Sequence, residues 1–481
     1  MRQSILFHGC GAGIAVLCAA LSVDSFFMDP AGETAEILLF MAIIGGMAVF
    51  YGLALWQIVR GRTNAGLGGV LAWAVIFRLL LLPSLPILDS SCYRHLWDGY
   101  VLSKGFNPFQ FAPGEILDQK SAAGLKEEDA QILERLRSLT RRVGPAQDVL
   151  HRVDHPQLNT IHLPFAQIMF GVSAVFFPLS MLGWRILILF FDAALILALT
   201  ALLSRFGRDP RCVLIYAWSP LALKETVNSL HVDVIASAGL FIGILFAMAG
   251  YKKRSPIAWA CAAMTQLYPI IVAPIWSKKW TIRSWSLFGA ILIILLFLFS
   301  GAGVRGASGL ADFANQWESN SSVVAALEAA LEWLGAPSRG EGSVLFTFAG
   351  AAFRLNALLS AKLAGVLIVL GIALSLAWKS MRQEIGDACR LQWTFGLVGA
   401  VILCSPVCNP WHIAWIVPFL CFTPRLSWLY LSLACFAYYS YFIPDPRGIP
   451  PGVRVLEYAP FFALLIWEWK FALTNRFLPS R

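Results

Sequence analysis

The sequence predicts an all-α polytopic membrane protein, and three observations support this fold class. Hydrophobic residues make up 58% of the 481-residue chain, charged residues make up only 14%, and the mean hydropathy is +0.68. One soluble core could not bury that much apolar surface, so the bilayer is the expected solvent. Apolar segments of about 20 residues recur along the chain, and each could cross roughly 30 Å of hydrocarbon as a helix. They are Ile5–Phe27, Ala35–Val59, Leu67–Leu88, Trp184–Leu203, Cys212–Leu230, His231–Gly250, Ser284–Ser300, Leu358–Trp378, Leu426–Ile443 and Val455–Leu473.

We expect about eleven to thirteen spans in one membrane domain, residues 1–481, without a soluble domain. Ile5–Phe27 lacks a clear small-residue cleavage site, so it is expected to be a retained helix rather than a signal peptide. The net charge of +9 comes from basic residues dispersed over short loops, which argues against nucleic acid as a partner. The ten cysteines form no C-x-x-C pair, and the one C-x-x-H, Cys92 to His95, has no second ligand pair, so no metal site is predicted.

Short basic clusters set the predicted orientation, because such clusters remain in the cytoplasm. The amino terminus is then inside, residues 89–183 form a large extracytoplasmic region with interfacial helices, and residues 301–343 form a second outer loop. Lys126–Val143 has the pattern of a helix lying on the membrane. Leu163–Leu182 is expected to lie at the interface or to re-enter, and Pro256–Trp276 to form a helical hairpin. The clusters are Arg60/Arg62, Arg205/Arg208/Arg211, Lys252/Lys253/Arg254, Lys278/Lys279/Arg283, Lys379/Arg382/Arg390 and Lys470/Arg476/Arg481.

The first outer region opens with a dense group of reactive and aromatic side chains, DSSCYRHLWDGYVLSKGFNPF. If this stretch is helical from its start, Asp89, Tyr93 and Trp97 share one face, and Arg94 and Asp98 form an i, i+4 pair. A carboxylate can act as a general base on a sugar hydroxyl, an arginine can bind a phosphate, and aromatic rings can stack on a sugar. The alternative is an interfacial belt of aromatic and charged residues without catalytic function.

Polar residues in other segments are predicted to reach the same side of the membrane. His231 and Asp233 lie where one apolar span ends and the next begins, Trp411 and His412 follow a later span, and Tyr268 lies at the tip of the predicted hairpin. Asp192 lies in mid-span, where an unpaired carboxylate costs about 2.5–3.5 kcal/mol, so it needs a partner such as Arg78 or Arg185. Lys224 and Glu225, within an apolar stretch, are expected to neutralise each other or another helix.

Five motifs in the same order resemble bacterial polyprenyl-phosphate-mannose-dependent mannosyltransferases of the GT-C superfamily. The loop stretch resembles the pattern D-x-x-x-Y-R-x-x-W-D-G-x-x-x-x-x-G-x-N-P-[YF], which is long and specific. Weaker similarities follow in HLPFAQ, NSLHVDVIAS, QLYPIIVAP and SPVCNPWHIAWIVPF, so the resemblance extends over nearly the whole chain. His162 and Leu163 stand where the family usually has tyrosine and proline, Gln266 replaces a lysine, and His412 replaces a tyrosine.

The resemblance implies a GT-C-like bundle in a bacterial plasma membrane, with an extracytoplasmic active site that transfers a hexose, expected to be mannose. The donor would be a polyprenyl-phosphate-linked sugar, its tail among membrane lipids, and the acceptor a glycan or lipid. Asp89 would be the catalytic base, while Arg94 and His231 would hold the phosphate and Trp97, Asp98 and Asn107 the sugar. The further binding residues implied are Tyr93, His162, Asp233, Tyr268, Trp411 and His412.

Two questions stay open at this level. Charge on the leaving phosphate can be stabilised by protein donors or by a divalent cation, so no cofactor is assigned. A lipid or sugar transporter, or a non-catalytic subunit of envelope-glycan assembly, would also carry polar residues in its spans. The sequence shows no paired repeats of the kind expected of a transporter, and no nucleotide-binding motif appears.

Overall fold

The computed structural model describes residues 2–28, 34–118, 125–142, 144–443 and 449–475. Helices account for most of these residues, and one two-stranded antiparallel sheet is present among them. The amino-terminal half contains α1 (Arg2–Asp24), α2 (Thr34–Val59), α3 (Leu67–Leu81), α4 (Ser91–Ser103), α5 (Pro113–Leu117), α6 (Glu127–Arg142), α7 (Gly144–His151), α8 (Pro164–Phe176), α9 (Met181–Arg205), α10 (Leu214–Ala217), α11 (Pro220–Ala222) and α12 (Asp233–Met248).

The carboxy-terminal half follows the same pattern of long helices separated by short ones. It contains α13 (Arg254–Ala263), α14 (Tyr268–Val272), α15 (Ile282–Leu298), α16 (Ser308–Gln316), α17 (Val323–Trp333), β1 (Val344–Phe348), β2 (Ala351–Arg354), α18 (Ala357–Arg382), α19 (Asp387–Leu403), α20 (Pro410–Ile413), α21 (Val417–Leu420), α22 (Leu426–Ala434) and α23 (Pro451–Asn475). Turns of 3₁₀ helix cover Pro210–Val213, Ala273–Lys279, Ser300–Ala307, Ala414–Ile416 and Cys435–Phe442.

The number of long apolar helices supports a multi-pass membrane protein, although it is smaller than the sequence predicts. Within the described residues, α1, α2, α9 and α18 are long and apolar enough to cross a bilayer. Two bent pairs raise the number to six: Pro220–Asn228 with α12, bent by 115°, and α15 with Ser300–Gln316, bent by 83°. The expectation of eleven to thirteen exceeds this number because several apolar segments are broken, as at Cys212–Leu230, which is divided among four short elements.

The first predicted outer region folds into α4 to α8. The amphipathic segment is helical, as α6, and its residues Leu133 and Leu136 are buried in the core. Helix α8 has 13 residues, about 20 Å, too short for a full span. The Pro256–Trp276 segment is interrupted between α13 and α14, where the predicted hairpin has its turn.

Close packing against α8 fixes the position of α4, the helix that carries Tyr93, Arg94, Trp97 and Asp98. A Cβ atom on Gly99 would collide with the carbonyl oxygen of Phe170, so only glycine permits this approach.

The buried carboxylate of Asp192, in the middle of α9, has charged and polar partners. It forms a salt bridge with Arg78, and the Tyr216 hydroxyl donates to Asp192 Oδ1 over 2.7 Å. The predicted partner of Asp192 is therefore Arg78, while Arg185 donates to four backbone carbonyls instead.

Candidate functional site

Asp89 and His231 form the centre of the candidate site. The loop after α3 delivers Asp89, the loop before α12 delivers His231, and Asp89 Oδ2 lies 2.7 Å from His231 Nε2. Both side chains are nearly inaccessible to water. The residues just before them, Leu88 and Leu230, have φ angles of +51° and +65°. A leucine in the left-handed region is strained, and such strain concentrates at functional sites.

A π-helical turn, Leu223–Asn228, brings a second carboxylate to His231. Glu225 Oε2 lies 3.3 Å from His231 Nε2, on the same nitrogen that contacts Asp89. The Tyr439 hydroxyl donates to Glu225 Oε1 over 2.6 Å and accepts from Lys224 Nζ over 2.9 Å. Isolated π-helical turns are frequent at functional sites. The wider π turn places two consecutive charged residues, Lys224 and Glu225, in the buried interior beside the centre of the site.

The local charge distribution fixes the ionisation of Asp89. Burial raises the pKa of Asp89, but the positive charge and hydrogen bond of His231, with a smaller effect of Lys224, lower it to about 2. The backbone N–H of Ser91 also donates to Asp89 Oδ1 over 2.8 Å. Asp89 is therefore a carboxylate at neutral pH, held against a protonated imidazole.

Aromatic rings form one wall beside this pair. The Trp411 ring stacks on His231 with a centroid separation of 4.4 Å, and the Tyr268 ring stacks on Trp415 at 4.5 Å. The His412 ring lies 5.6 Å from that of Trp411 and 5.1 Å from that of Trp415, centroid to centroid, and its Nδ1 accepts from the Asn409 backbone N–H over 3.2 Å at the first turn of α20. A narrow cleft lies next to these rings, lined by Tyr216, Glu225, His231, Asp233, Trp411 and Trp415 among others.

Asp233 is anchored at the edge of this cleft. Its Oδ1 accepts from Gln266 Nε2 over 2.9 Å and from Trp415 Nε1 over 2.6 Å. The Tyr268 hydroxyl and Ser237 Oγ, which follows Asp233 by one helical turn in α12, lie 3.2 Å apart. The structure therefore places Asp89, His231, Asp233, Tyr268 and Trp411 in one connected group of side chains.

The predicted residues of α4 face other partners. Tyr93 accepts a hydrogen bond from Arg152, and Trp97 is buried beside Tyr100. Helix α4 begins at Ser91, so Asp89 precedes it and does not share a helical face with Tyr93 and Trp97 as expected. The reason is that Asp89 turns away toward His231 instead of continuing the helix.

Arg94 and Asp98, further along α4, have separate hydrogen-bond partners. Arg94 Nη2 donates to the carbonyl oxygens of Asp154, at 3.3 Å, and His155, at 3.0 Å. Asp98 Oδ2 accepts from Gln167 Nε2 over 3.0 Å. Burial raises the pKa of Asp98, although the nearby Arg94 charge opposes this effect. The described residues include no direct ion pair between Arg94 and Asp98, and the predicted i, i+4 pair acts only through its charges.

Asn107 and His162 are the remaining predicted binding residues. Asn107 Nδ2 donates to the Phe299 carbonyl over 3.0 Å, which fastens the loop after α4 to the end of α15. His162 packs against His95, with ring centroids 4.7 Å apart. Burial lowers the pKa of His162 to about 3, helped by the charges of Arg94 and His231, so its imidazole is neutral at neutral pH.

Asp89, Glu225 and His231 also have the composition of a metal site. In the described part of the chain they are the one group of three such side chains whose ligand atoms lie within 4.8 Å of one another. The charges are already balanced, however, because His231 contacts both carboxylates and Lys224 Nζ lies 3.9 Å from Glu225 Oε1. A divalent cation would have to displace the His231 proton beside a fixed ammonium group, so we derive no step through a metal.

Sequence reasoning placed Lys224 and Glu225 together but did not assign them to the site. Tyr439, Trp415 and Gln266 were also missed as members of it. The available signal was the adjacent Lys-Glu pair in an apolar stretch, just ahead of the NSLHVD motif. Buried adjacent charges of opposite sign require partners, and here the partners are site residues.

No protein-family model, no curated protein and no solved structure matches this chain.

Proposed function

We propose that the protein is a glycosyltransferase that moves a hexose, with mannose as the first candidate, from a polyprenyl-phosphate donor to a hydroxyl of a glycan or lipid acceptor. The proposal places the reaction on the extracytoplasmic side of a bacterial plasma membrane. The observation that supports it is the contact between Asp89 and His231, of which His231 lines the aromatic cleft. The proposal assigns Asp89 the role of base and His231 the role of phosphate ligand.

The proposed reaction is a single displacement with inversion at the anomeric carbon. The acceptor oxygen forms a bond to that carbon, and the bond from the carbon to the phosphate oxygen breaks with its electron pair remaining on the phosphate. Asp89 takes the acceptor proton, so the products are the glycosylated acceptor and polyprenyl phosphate. A general base of this kind contributes typically 10²–10⁴-fold to the rate.

A carboxylate with a pKa of about 2 is a weak base, and its environment suggests how it is strengthened. The His231 proton is directed at Asp89 and Glu225. A bound donor phosphate would compete for that proton, because charge-assisted hydrogen bonds to phosphate are strong. Asp89 would then lose that hydrogen bond and gain a second negative charge nearby, so its pKa would rise where the acceptor hydroxyl arrives.

The aromatic wall suits a sugar ring. Trp411 and Trp415 line the cleft beside the fixed carboxylate of Asp233, which can accept hydrogen bonds from sugar hydroxyls, and Tyr268 supports Trp415 from behind by stacking on its ring. The Arg94 Nη2 atom is bound to two backbone carbonyls, so His231 is the better candidate for the first phosphate contact.

A transfer assay tests the proposal directly. Protein purified into nanodiscs would be incubated with radiolabelled polyprenyl-phosphate sugars and candidate lipid or glycan acceptors, and label in the acceptor would be counted. We expect transfer from the wild-type protein and almost none from Asp89→Asn. Binding of the donor without any transfer across a broad acceptor panel would contradict the proposal and favour a non-catalytic role.

A further inference from the structure

An exposed apolar hairpin made of β1 and β2 directly follows the second predicted outer loop, residues 301–343. All five residues of β1 are exposed, and its large side chains Val344, Leu345, Phe346 and Phe348 are 48–56% accessible. Because successive side chains of a strand point to opposite faces, both faces of this ribbon present apolar groups. Two-stranded hairpins are marginally stable in water, so this one requires a further contact.

The hairpin is fixed to the beginning of α18, which is one of the four helices long enough to span a membrane. Phe353 of β2 is buried in a small cluster with Leu359, in the first turn of α18, and with Ala311 of α16. Leu355 N donates to the Ser343 carbonyl over 2.9 Å, which closes the base of the hairpin two residues before α18 begins. The hairpin therefore cannot move far from that end of the helix.

Helix length determines how deep that end lies. The 26 residues of α18 span about 39 Å, longer than the roughly 30 Å hydrocarbon core. Its first turn consequently lies near the level of the lipid headgroups. Trp333 and Leu334, at the end of α17, are 86% and 72% exposed, and the Ala357 N–H binds the Pro337 carbonyl just beyond them. Tryptophan is enriched at this depth in membrane proteins.

From this placement we propose that the β1–β2 hairpin, with Trp333 and Leu334, is a membrane-interface anchor that inserts its apolar side chains among the lipid headgroups. The hydrocarbon core is excluded for it, since β1 is the outer strand of a two-stranded sheet and its free backbone edge needs water. Strand addition by another protein would use that edge and would leave the exposed apolar side chains of β1 uncovered. Lipid contact covers those side chains, and this difference favours the bilayer as the occupant.

The anchor is connected to the candidate site by a series of contacts. Arg339, in the loop before β1, forms salt bridges with Glu328 and Glu318. Ser319, next to Glu318, donates through Oγ to Asn409 Oδ1 over 2.9 Å, directly ahead of Trp411. The anchor thus holds the second loop beside the cleft at the depth where a lipid-linked molecule would enter.

Site-directed spin labelling of the full-length protein tests this inference. In a background without the ten native cysteines, single cysteines at Leu345 and at Phe348, two exposed positions of β1, would carry a nitroxide. Glu341, in the preceding polar turn, is the aqueous control, and Leu367, exposed in the middle of α18, is the bilayer control. Thermal unfolding of each labelled protein would verify its fold. The second hairpin position still gives a result if the variant at the first one does not fold.

The readout is collision with oxygen, which concentrates in lipid, against collision with a water-soluble nickel complex. In nanodiscs of phosphatidylcholine and phosphatidylglycerol, we expect both hairpin labels to collide more with oxygen and less with nickel than Glu341, with values between the two controls. A hairpin label that matches Glu341 would overturn the anchor. Labels shielded from both reagents would also overturn it, because that result means that protein covers the hairpin.

Discussion

Leu88 and Leu230 adopt the same left-handed backbone conformation, and each immediately precedes one member of the Asp89–His231 pair. Two non-glycine residues with positive φ, 142 residues apart in the chain, thereby direct two side chains to one point. Each such residue costs of order 1–3 kcal/mol and persists only where the surroundings impose it. The fold thus maintains two strained turns at the positions that set the geometry of the proposed base and phosphate ligand.

Replacement of Asp89 by asparagine should abolish most transfer. Asparagine keeps the size and can still hydrogen-bond to His231 and Ser91, but it cannot accept the acceptor proton. We expect turnover to fall by at least about 100-fold while donor binding largely survives. Steady-state transfer assays and a donor-binding isotherm measure the two quantities. Glu384→Gln, at an exposed carboxylate of the loop between α18 and α19, is the control and should behave as wild type. Wild-type turnover in the Asn variant would remove Asp89 as the base.

Replacement of His231 by glutamine should shift the pH dependence of transfer. Glutamine retains a hydrogen-bond donor but not the positive charge, so burial then dominates and the pKa of Asp89 rises from about 2. A base with a raised pKa stays protonated to higher pH, and therefore the acidic limb of kcat/KM against pH should move upward. Residual activity should recover as the pH increases.

His162→Gln is the matched control for that profile. The pKa of His162 is about 3, so its imidazole is already neutral at neutral pH, and its replacement leaves the charge near Asp89 unchanged. The acidic limb should stay in the wild-type position. Equal shifts in both variants would mean that His231 does not set the ionisation of Asp89.

Loss of the Tyr439 hydroxyl should destabilise the protein. This hydroxyl joins Lys224 and Glu225, two buried charged residues, and phenylalanine would leave both with one partner fewer. An unsatisfied buried polar group costs about 1–3 kcal/mol, and more when it is charged. Thermal unfolding in detergent should show a lower midpoint for Tyr439→Phe. Tyr430→Phe, which removes an exposed hydroxyl bond to the Leu456 carbonyl, should change it little. Similar midpoints for both variants would contradict a structural role for the buried chain.

The difference between α4 and the Leu223–Asn228 turn shows what local sequence can predict. The YRHLWDG stretch has a spacing that is compatible with a helix, and it is helical in the structure. Its start is not predictable from the spacing, because Asp89 leaves the helical path through a strained Leu88 that no residue preference indicates. The position of the Glu225 side chain is harder to predict, because a π turn changes the direction in which each side chain points. The residues that contact Glu225, His231 and Tyr439, also lie elsewhere in the chain.

Breaking the Arg78–Asp192 pair should be costly. Asp192→Asn would leave the Arg78 guanidinium buried beside a neutral group and would weaken the Tyr216 contact. Removal of one partner from a buried pair costs about 3–5 kcal/mol, while replacement of both by apolar residues is often neutral. We expect a clearly lowered unfolding midpoint for Asp192→Asn, and recovery of most of the loss in a double variant with Arg78→Met and Asp192→Leu. A double variant no better than the single one would indicate that the pair has a role beyond charge neutralisation.

The orientation of α18 decides which side of the membrane bears the chemistry. Glu341 and Gln383 are both exposed and lie beyond opposite ends of this helix, so a spanning α18 must place them on opposite sides. Lys379 and Arg382 in its last turn predict a cytoplasmic carboxy-terminal end. In a background without native cysteines, Glu341→Cys should react with a membrane-impermeant maleimide in intact cells, whereas Gln383→Cys should react only after permeabilisation.

The reverse result would invert the orientation. It would move the second loop to the cytoplasm, together with the site segment that is bonded to it through Ser319 and Asn409. Labelling of both in intact cells would mean that α18 does not span the bilayer.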